Sequence, residues 1–180
     1  VVRRFPAAIL IQLPKNGGKS KAMVHGLNAA KNELVMLLDA DLFNITGADI
    51  SALAEPIMAG RADVSISLRR NAFGIHHWLG LDFTSGERVL PKSLLNDVLH
   101  EVDRLPNFGI ESYMTKLIIA CRMRLAVVRW RKVTHMRKAE KYGFIKGTLG
   151  DLKMSLDVLR VLSPWAGVKM NRAMLKLTVK

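Results

Sequence analysis

Residues 34–41, Leu-Val-Met-Leu-Leu-Asp-Ala-Asp, decide the fold of this chain of 180 residues. The first five side chains are all apolar, and a run without polar alternation is typical of a strand covered on both faces. Asp39 and Asp41 follow at the carboxyl end of this strand. Because ligands bind outside the carboxyl ends of parallel strands, the stretch predicts a buried strand that delivers two carboxylates to a site.

The residues on either side of this stretch show an alternation of strands and helices. Residues 7–13 (AAILIQL) are a second apolar run, which predicts another buried strand, and residues 22–30 carry apolar side chains at helical spacing. Thr46, with Asp49 three residues later, is typical of a helix N-cap, and residues 63–69 alternate as a strand does. This succession predicts an α/β domain with a mostly parallel sheet flanked by helices.

The remainder of the chain is predicted to be mainly helical. Apolar spacing indicates one short strand at residues 125–128 and helices at residues 94–102, 110–121, 151–162 and 165–179. Since the sequence shows no repeat or linker, we expect one main domain over residues 1–147. Residues 148–180 are predicted to form a C-terminal amphipathic helical appendage.

The composition excludes several classes of protein. The chain is 49% hydrophobic, so it can bury a core and is not intrinsically disordered. Its single cysteine excludes a disulfide framework, and its longest stretch without a charge, residues 71–81, is far shorter than the ~20 residues of a membrane span. The lone thiol suits a reducing compartment and no signal peptide is visible, so we expect a cytoplasmic protein.

The basic residues are concentrated in the C-terminal part. The formal net charge is +13, of which +2 falls in residues 1–100 and +11 in residues 101–180. This asymmetry indicates an anionic partner, either nucleic acid, a phospholipid surface or a phosphorylated substrate, with surplus solubilising charge as the alternative. Nucleic acid is not expected, because the aromatic residues do not interleave with the basic ones and no nucleic-acid-binding motif is evident.

Residues 165–180 combine basic side chains with an apolar stripe of Met170, Met174 and Leu177. A basic and apolar helix of this kind suits the surface of an anionic membrane. The alternative is a helix that packs the stripe on the core and leaves its basic side in solvent. The basic side chains of this segment are Lys169, Arg172, Lys176 and Lys180.

The pair Asp39 and Asp41 requires a cation if both carboxylates face one ligand, because two like charges at one spot repel each other. Mg²⁺ or Mn²⁺ bound to a diphosphate provides that cation, since both ions prefer oxygen ligands. The alternative is a solvated turn in which Asp39 caps the backbone.

Gly18-Lys19-Ser20 follows an apolar run and begins a helical pattern, which also suits a phosphate-loop NTPase. That motif requires a glycine five residues before Gly18, and Leu13 is at that position. Lys19 is still able to meet a phosphate as a point charge at the start of a helix, although it also fits an ordinary exposed lysine.

Several motifs, taken in their order along the chain, resemble those of the family-2 glycosyltransferases. That family has the GT-A fold, uses nucleotide sugars as donors and generally inverts the anomeric configuration of the transferred sugar. The resemblance extends over residues 7 to about 137. It rests on Asn16-x-Gly18-Lys19 and Leu37-Leu38-Asp39-Ala40-Asp41, followed by 84–90 (TSGERVL), 107–111 (NFGIE), 124–128 (RLAVV) and 133–135 (VTH).

The resemblance implies roles for individual residues. Asp39 and Asp41 would hold Mg²⁺ or Mn²⁺ and the nucleotide diphosphate, and Glu111 would be the general base that takes the acceptor's proton. A carboxylate suits that role if partial burial raises its pKa. The alternative for Glu111 is a first-turn charge that favours the helix dipole.

Three further residues receive roles with open alternatives. His135 would be a third metal ligand or a diphosphate contact, or else a structural histidine. Arg88 would contact the acceptor or the diphosphate, or else form an ion pair. Lys19 would contact the diphosphate.

The resemblance also implies a nucleoside-binding unit before residue 7, where this chain has only Val-Val-Arg-Arg-Phe-Pro. We therefore expect a partial GT-A domain with its first β-α-β unit missing and weak donor binding. The predicted function is metal-dependent transfer of a sugar from UDP or GDP to a hydroxyl or phosphate acceptor, such as a lipid phosphate at the cytoplasmic membrane face. A basic nucleic-acid- or membrane-binding module without catalysis and a phosphate-loop NTPase are the alternatives, and a homo-oligomer is left open.

Overall fold

The structure is a computed structural model that describes residues 2–72, 77, 80–96, 109–135 and 164–179. After a short 3-10 turn at Val2–Arg4, its helices are α1 (Gly18–Ala29), α2 (Gly47–Met58), α3 (Gly109–Ala120) and α4 (Pro164–Leu175), with a further 3-10 turn at Lys92–Leu95. Its strands are β1 (Leu34–Leu37), β2 (Leu42–Phe43), β3 (Val64–Arg69), β4 (Arg88–Pro91), β5 (Leu125–Trp130) and β6 (Thr134–His135). The predicted helix at 151–162 lies outside the described residues, and so does most of the one at 94–102.

Four strands form the main sheet in the order β1-β4-β3-β5. β3 and β5 are parallel, whereas β4 runs antiparallel to both β1 and β3, so β1 points the same way as β3 and β5. The carboxyl ends of these three strands therefore share one edge of the sheet. A separate two-stranded sheet pairs β2 with β6 just beyond β1.

Helices cover both faces of the main sheet. One core contains Leu27 of α1, Ile110 and Met114 of α3 and Met174 of α4 against Ile66 of β3, all buried. The second core lies beneath α2 and consists of Leu53, Val89, Trp130 and Val133. Because both faces are covered, β1 (LVML) and the first four residues of β5 (LAVV) are continuous apolar runs, as expected of buried strands. β3 instead alternates apolar side chains with Ser65 and Ser67, which are also fully buried.

The start of α2 confirms the predicted N-cap. The Thr46 side chain accepts a hydrogen bond from the Asp49 backbone N–H, and the Asp49 side chain accepts one from the Thr46 backbone N–H. This reciprocal capping box satisfies two backbone donors that would otherwise lack partners.

The predicted strand at residues 7–13 is wrong for the described structure. These residues have no strand pairing, and Ile9, Leu10 and Ile11 are exposed. A strand needs a neighbour for its backbone N–H and C=O groups, and no described strand offers residues 7–13 one. The apolar run therefore indicates that the segment tends to form a strand, but it does not show whether a neighbouring strand is present to pair with it.

The C-terminal segment packs on the domain. Met170 and Met174 of α4 are buried, and α4 lies against α3. Beyond α4, Leu125 donates its backbone N–H to the Leu177 carbonyl, and Val179 donates to the Leu125 carbonyl, so the chain adds a bridge to the β5 edge. The two methionines of the stripe that was expected to face a membrane are thus packed in the protein core.

Candidate functional site

A cavity of about 220 Å³ opens at the carboxyl edge of the sheet, where β1, α1 and α3 meet. β1 leads into Asp39, the first turn of α1 carries Lys19, and the first turn of α3 carries Glu111. The cavity is lined by these three side chains, Gly86 and an apolar wall of Met23, Met36, Leu37, Leu38 and Met114. The topology therefore brings together three charged residues that are widely separated in sequence.

Lys19 bridges the two carboxylates of the cavity. Its Nζ lies 2.7 Å from Asp39 Oδ1 and 2.7 Å from Glu111 Oε1. Burial alone would lower the pKa of the Lys19 ammonium, but the attraction of Glu111 and Asp39 outweighs it and raises the pKa above its usual value. The lysine is therefore a firmly held cation between the two acidic groups.

Glu111 is nearly buried, with 7% of its side chain exposed. Oε1 is bonded to Lys19, whereas Oε2 is buried and has no hydrogen-bond partner among the described residues. Leaving a buried carboxylate oxygen unsatisfied is costly. An unpaired buried oxygen beside a cavity is the arrangement expected of a group that meets a ligand.

Gly86 allows Asp39 to reach its position. A Cβ on Gly86 would lie 2.7 Å from Asp39 Oδ2 and 2.8 Å from Oδ1, closer than real Cβ contacts come. Only glycine permits this approach of the carboxylate to the backbone of the neighbouring loop. Gly86 lies in the Thr-Ser-Gly-Glu-Arg motif, but sequence reasoning gave it no role because the contact with Asp39 is made across the fold.

Asp41 is not among the described residues that line the cavity, and the side chain of His135 lies outside the described part of the structure. Ala40 and Asp41 form a turn, so the two carboxylates do not follow an extended segment, and Asp41 is half-buried. In the β2–β6 pair the backbone of His135 is opposite Leu42, the residue after Asp41. The structure thus places the His135 backbone next to the second aspartate.

The position of Arg88 differs from the ligand contact that the sequence predicts. It is fully buried in β4 and donates hydrogen bonds to the Ser85 and Phe83 carbonyls and to the Thr115 hydroxyl. Burial lowers the pKa of Arg88 to about 10, with Glu111 the strongest of the nearby carboxylates that oppose this shift. The guanidinium is committed to the protein interior and does not face the cavity.

The carboxylates at the end of β1 suit a divalent cation. Asp39 already binds a cation, the Lys19 ammonium, and Gly86 leaves room around its oxygens. No cluster of three His, Cys, Asp or Glu side chains gathers within the described ranges. The protein atoms seen here therefore offer part of a coordination shell, and a bound phosphate group is a natural source of further oxygens.

Known structures share this fold. Glucosyl-3-phosphoglycerate synthase from Mycobacterium tuberculosis, solved with Mn²⁺, UDP-glucose and phosphoglyceric acid, aligns at 20% identity over 81% of this chain and 57% of its own, with a TM-score of 0.51. A complex of the same enzyme with Mn²⁺, UDP-glucose and glycerol 3-phosphate aligns at 22% identity over 73% of this chain and 50% of its own, with a TM-score of 0.50. This chain spans about half the length of that enzyme, and likeness at such identity establishes the GT-A fold alone.

No curated protein matches the sequence. The family profile described as Glycosyl transferase family 2 matches residues 1–101, which include Lys19, Asp39, Asp41 and Arg88. Glu111 and His135 lie beyond the matched residues. Because the match covers more than half of the 180 residues, the chain belongs to glycosyltransferase family 2.

Proposed function

We propose that the cavity at the carboxyl edge of the sheet transfers a sugar from a nucleoside diphosphate to an acceptor hydroxyl or phosphate, with Glu111 as the general base. One observation carries the proposal: Lys19 bridges Asp39 and Glu111 while the second oxygen of Glu111 is buried without a partner. Sugar transfer needs three groups at one place: a cation, here Lys19, a carboxylate that can hold a metal ion, here Asp39, and a free basic oxygen, here Glu111 Oε2.

The chemistry follows from these positions. Glu111 Oε2 accepts the proton of the acceptor as the acceptor oxygen attacks the anomeric carbon. The bond from that carbon to the diphosphate oxygen breaks, and the nucleoside diphosphate leaves with the bonding electrons. Lys19 stabilises the negative charge that develops on the diphosphate. A single displacement inverts the anomeric configuration.

Asp39 and Asp41 would hold Mg²⁺ or Mn²⁺, with His135 as a third ligand. When bound, the cation neutralises charge on the diphosphate and makes it a better leaving group. The related synthase was solved with Mn²⁺ and UDP-glucose, which supports this assignment. Lys19 must then exchange its bond with Asp39 for one with a phosphate oxygen.

The donor's nucleoside requires more protein than the described cavity provides. About 220 Å³ is below the ~300–1,000 Å³ of typical ligand pockets, although it suits a diphosphate and a metal ion. We expect the described cavity to hold the diphosphate and the metal ion and to contribute little to binding of the nucleoside.

A phosphate-bearing acceptor is the class that the charge favours. The net charge of +11 over residues 101–180 favours an acceptor that is itself negatively charged. The related synthase was solved with phosphoglyceric acid and with glycerol 3-phosphate, both phosphate esters.

A lipid phosphate at an anionic membrane is the membrane-bound form of this acceptor class. Met170 and Met174 are buried, so attachment would rest on the exposed Lys169, Arg172 and Lys176 without insertion of α4. In the described part of the chain, no helix is both long and apolar enough to cross a bilayer. Co-sedimentation with phosphatidylserine vesicles that is lost at high salt is expected, and equal binding to phosphatidylcholine would contradict the proposal.

The function is tested by incubating the protein with Mn²⁺, a panel of UDP- and GDP-sugars, and glycerol 3-phosphate or phosphoglycerate. Release of nucleoside diphosphate and a glycosylated product of inverted configuration, read by NMR, are expected. Asp41→Ala should abolish transfer, whereas Asp49→Ala, which changes an aspartate at a helix cap, should retain it. Transfer that survives Asp41→Ala would show the site assignment to be wrong.

A further inference from the structure

We infer that Arg88 and Thr115 form a buried clamp that positions Glu111 at the cavity, so that both are positioning residues for the transfer. The inference rests on the proposed function, because it assigns a role relative to Glu111 as the base. Neither residue lines the cavity described above. Their effect must therefore pass through the backbone of α3 and of the loop before β4.

Arg88 connects three parts of the structure. Its Nε donates to the Ser85 carbonyl at 2.8 Å, one terminal nitrogen donates to the Phe83 carbonyl at 2.6 Å, and the other donates to Thr115 Oγ1 at 3.1 Å. The residue is fully buried. Because a buried guanidinium is stable only when its donors are satisfied, these bonds fix the loop at 83–85 relative to α3.

Thr115 passes this fixation to Glu111. Its hydroxyl oxygen lies 2.9 Å from the Glu111 carbonyl, one helical turn earlier, and 3.1 Å from the Phe83 carbonyl. A hydroxyl has one hydrogen to donate, so it donates to one of these carbonyls while it accepts from Arg88. The first turn of α3, which carries the Glu111 carboxylate, is thereby tied to the guanidinium.

The same loop is held from its other side by Glu87. The Glu87 carboxylate is fully buried and accepts hydrogen bonds from Ser67 at 2.7 Å, Ser85 at 2.6 Å and Arg69 at 3.2 Å. Gly86, whose backbone Asp39 approaches, lies between Ser85 and Glu87. Buried hydrogen bonds therefore hold both the loop that Asp39 approaches and the first turn of α3 that carries Glu111.

A purely structural role would leave the chemistry unchanged once the protein is folded. The clamp acts on the position of Glu111, and a displacement of about 1 Å at a base can cost up to about 100-fold in rate. Binding of the donor diphosphate depends on Asp39 and Lys19, which the Thr115 hydroxyl does not touch. The expected signature is a lower kcat with little change in the donor KM.

The matched pair Thr115→Val and Thr115→Ser tests the inference, because valine keeps the shape and loses the hydroxyl whereas serine keeps the hydroxyl. With UDP-glucose and Mn²⁺, Thr115→Val should lower kcat about 10-fold and change the donor KM less than about twofold. Thr115→Ser should retain kcat within about threefold. Thermal melting followed by circular dichroism shows whether each variant is folded.

Equal kcat for folded Thr115→Val and wild type would overturn the inference, as would a change confined to the melting temperature. If Thr115→Val does not fold, Thr115→Ala replaces it in the assay. If neither variant folds whereas Thr115→Ser does, the hydroxyl is needed for folding, and this result also overturns the inference. Glu111→Gln separates the two proposals. If Glu111→Gln retains wild-type kcat, the proposed function fails, whereas a large loss in Glu111→Gln with none in Thr115→Val defeats the clamp alone.

Discussion

Lys19→Met is expected to strengthen the binding of Mn²⁺ to the site in the absence of a nucleotide. The Lys19 ammonium occupies Asp39 Oδ1 at 2.7 Å, the carboxylate proposed to bind the metal, and it repels any second cation there. Methionine has a similar length without the charge, so Asp39 becomes available. The substitution thus removes a positive charge and is predicted to raise the affinity for a positive ion.

The magnitude follows from the exposure of the pair. Lys19 has 38% of its side chain exposed and Asp39 has 26%, so solvent screens their attraction. We assign about 1 kcal/mol to the loss of this competing ion pair, which corresponds to roughly fivefold tighter Mn²⁺ binding. The donor KM should rise about 10-fold at the same time, because the diphosphate loses a charge-assisted hydrogen bond.

Electron paramagnetic resonance of free Mn²⁺, titrated at low ionic strength without a nucleotide, measures the first effect. Lys116→Met is the matched control, because Lys116 is exposed on the same helix as Glu111 and lies outside the cavity lining. The gain in affinity should shrink as salt is added. An unchanged or weaker Mn²⁺ affinity in Lys19→Met would refute the competition between the ammonium and the metal.

Three further substitutions probe the site and the fold. Gly86→Ala should lower metal-dependent transfer at least about 10-fold in a folded protein, since the added Cβ meets the Asp39 oxygens at 2.7 and 2.8 Å. A wild-type rate of transfer in Gly86→Ala would show that Asp39 does not need this position. Hydrogen bonds from Arg124 hold the pKa of Asp63 below its usual range, so the ionised form stabilises the fold above about pH 4 and this contribution is lost as pH falls through the lowered pKa. Asp63→Asn should therefore lower the melting temperature by about 1–3 °C at pH 7, with a difference that vanishes in acid, and a constant difference would contradict the assignment. Leu53→Ala empties a fully buried position under α2 and should cost about 2–5 kcal/mol in denaturant unfolding, whereas a loss below about 1 kcal/mol would mean that α2 does not cover the second core.

Much of the fold was accessible from local patterns. The apolar run at 34–38, the helical spacing after Gly18 and the capping pair Thr46 and Asp49 predict elements that the structure contains. These elements are specified by side chains close together in sequence. Residues 7–13 were misjudged because a strand also depends on a partner, which a local apolar run does not reveal.

The site was accessible only in part. Asp39 and Lys19 could be placed because strand ends and helix starts meet at one edge of an α/β sheet. Arg88 could not, since its burial depends on Thr115, a residue 27 positions away, and on carbonyls of a turn. An arginine in a short motif looks the same in sequence whether it faces a ligand or the interior.

The bridging role of Lys19 was also beyond local patterns. Sequence reasoning expected a phosphate contact, whereas the structure shows one ammonium shared by Asp39 and Glu111. Asp39 and Glu111 lie on different elements, and their approach requires β1 and α3 to pack on the same side of the sheet. Only the tertiary arrangement reveals that Asp39 and Glu111 share one counter-ion.

The most direct test of the central claim is the single-turnover rate of Glu111→Gln with a saturating nucleotide sugar and Mn²⁺. Glutamine keeps the size of the side chain and removes its capacity to take the acceptor proton. We predict a rate about 10²–10⁴-fold lower than that of the wild-type protein, with donor affinity retained within about threefold. A wild-type rate in Glu111→Gln would contradict the assignment of this cavity as the place where the sugar is transferred.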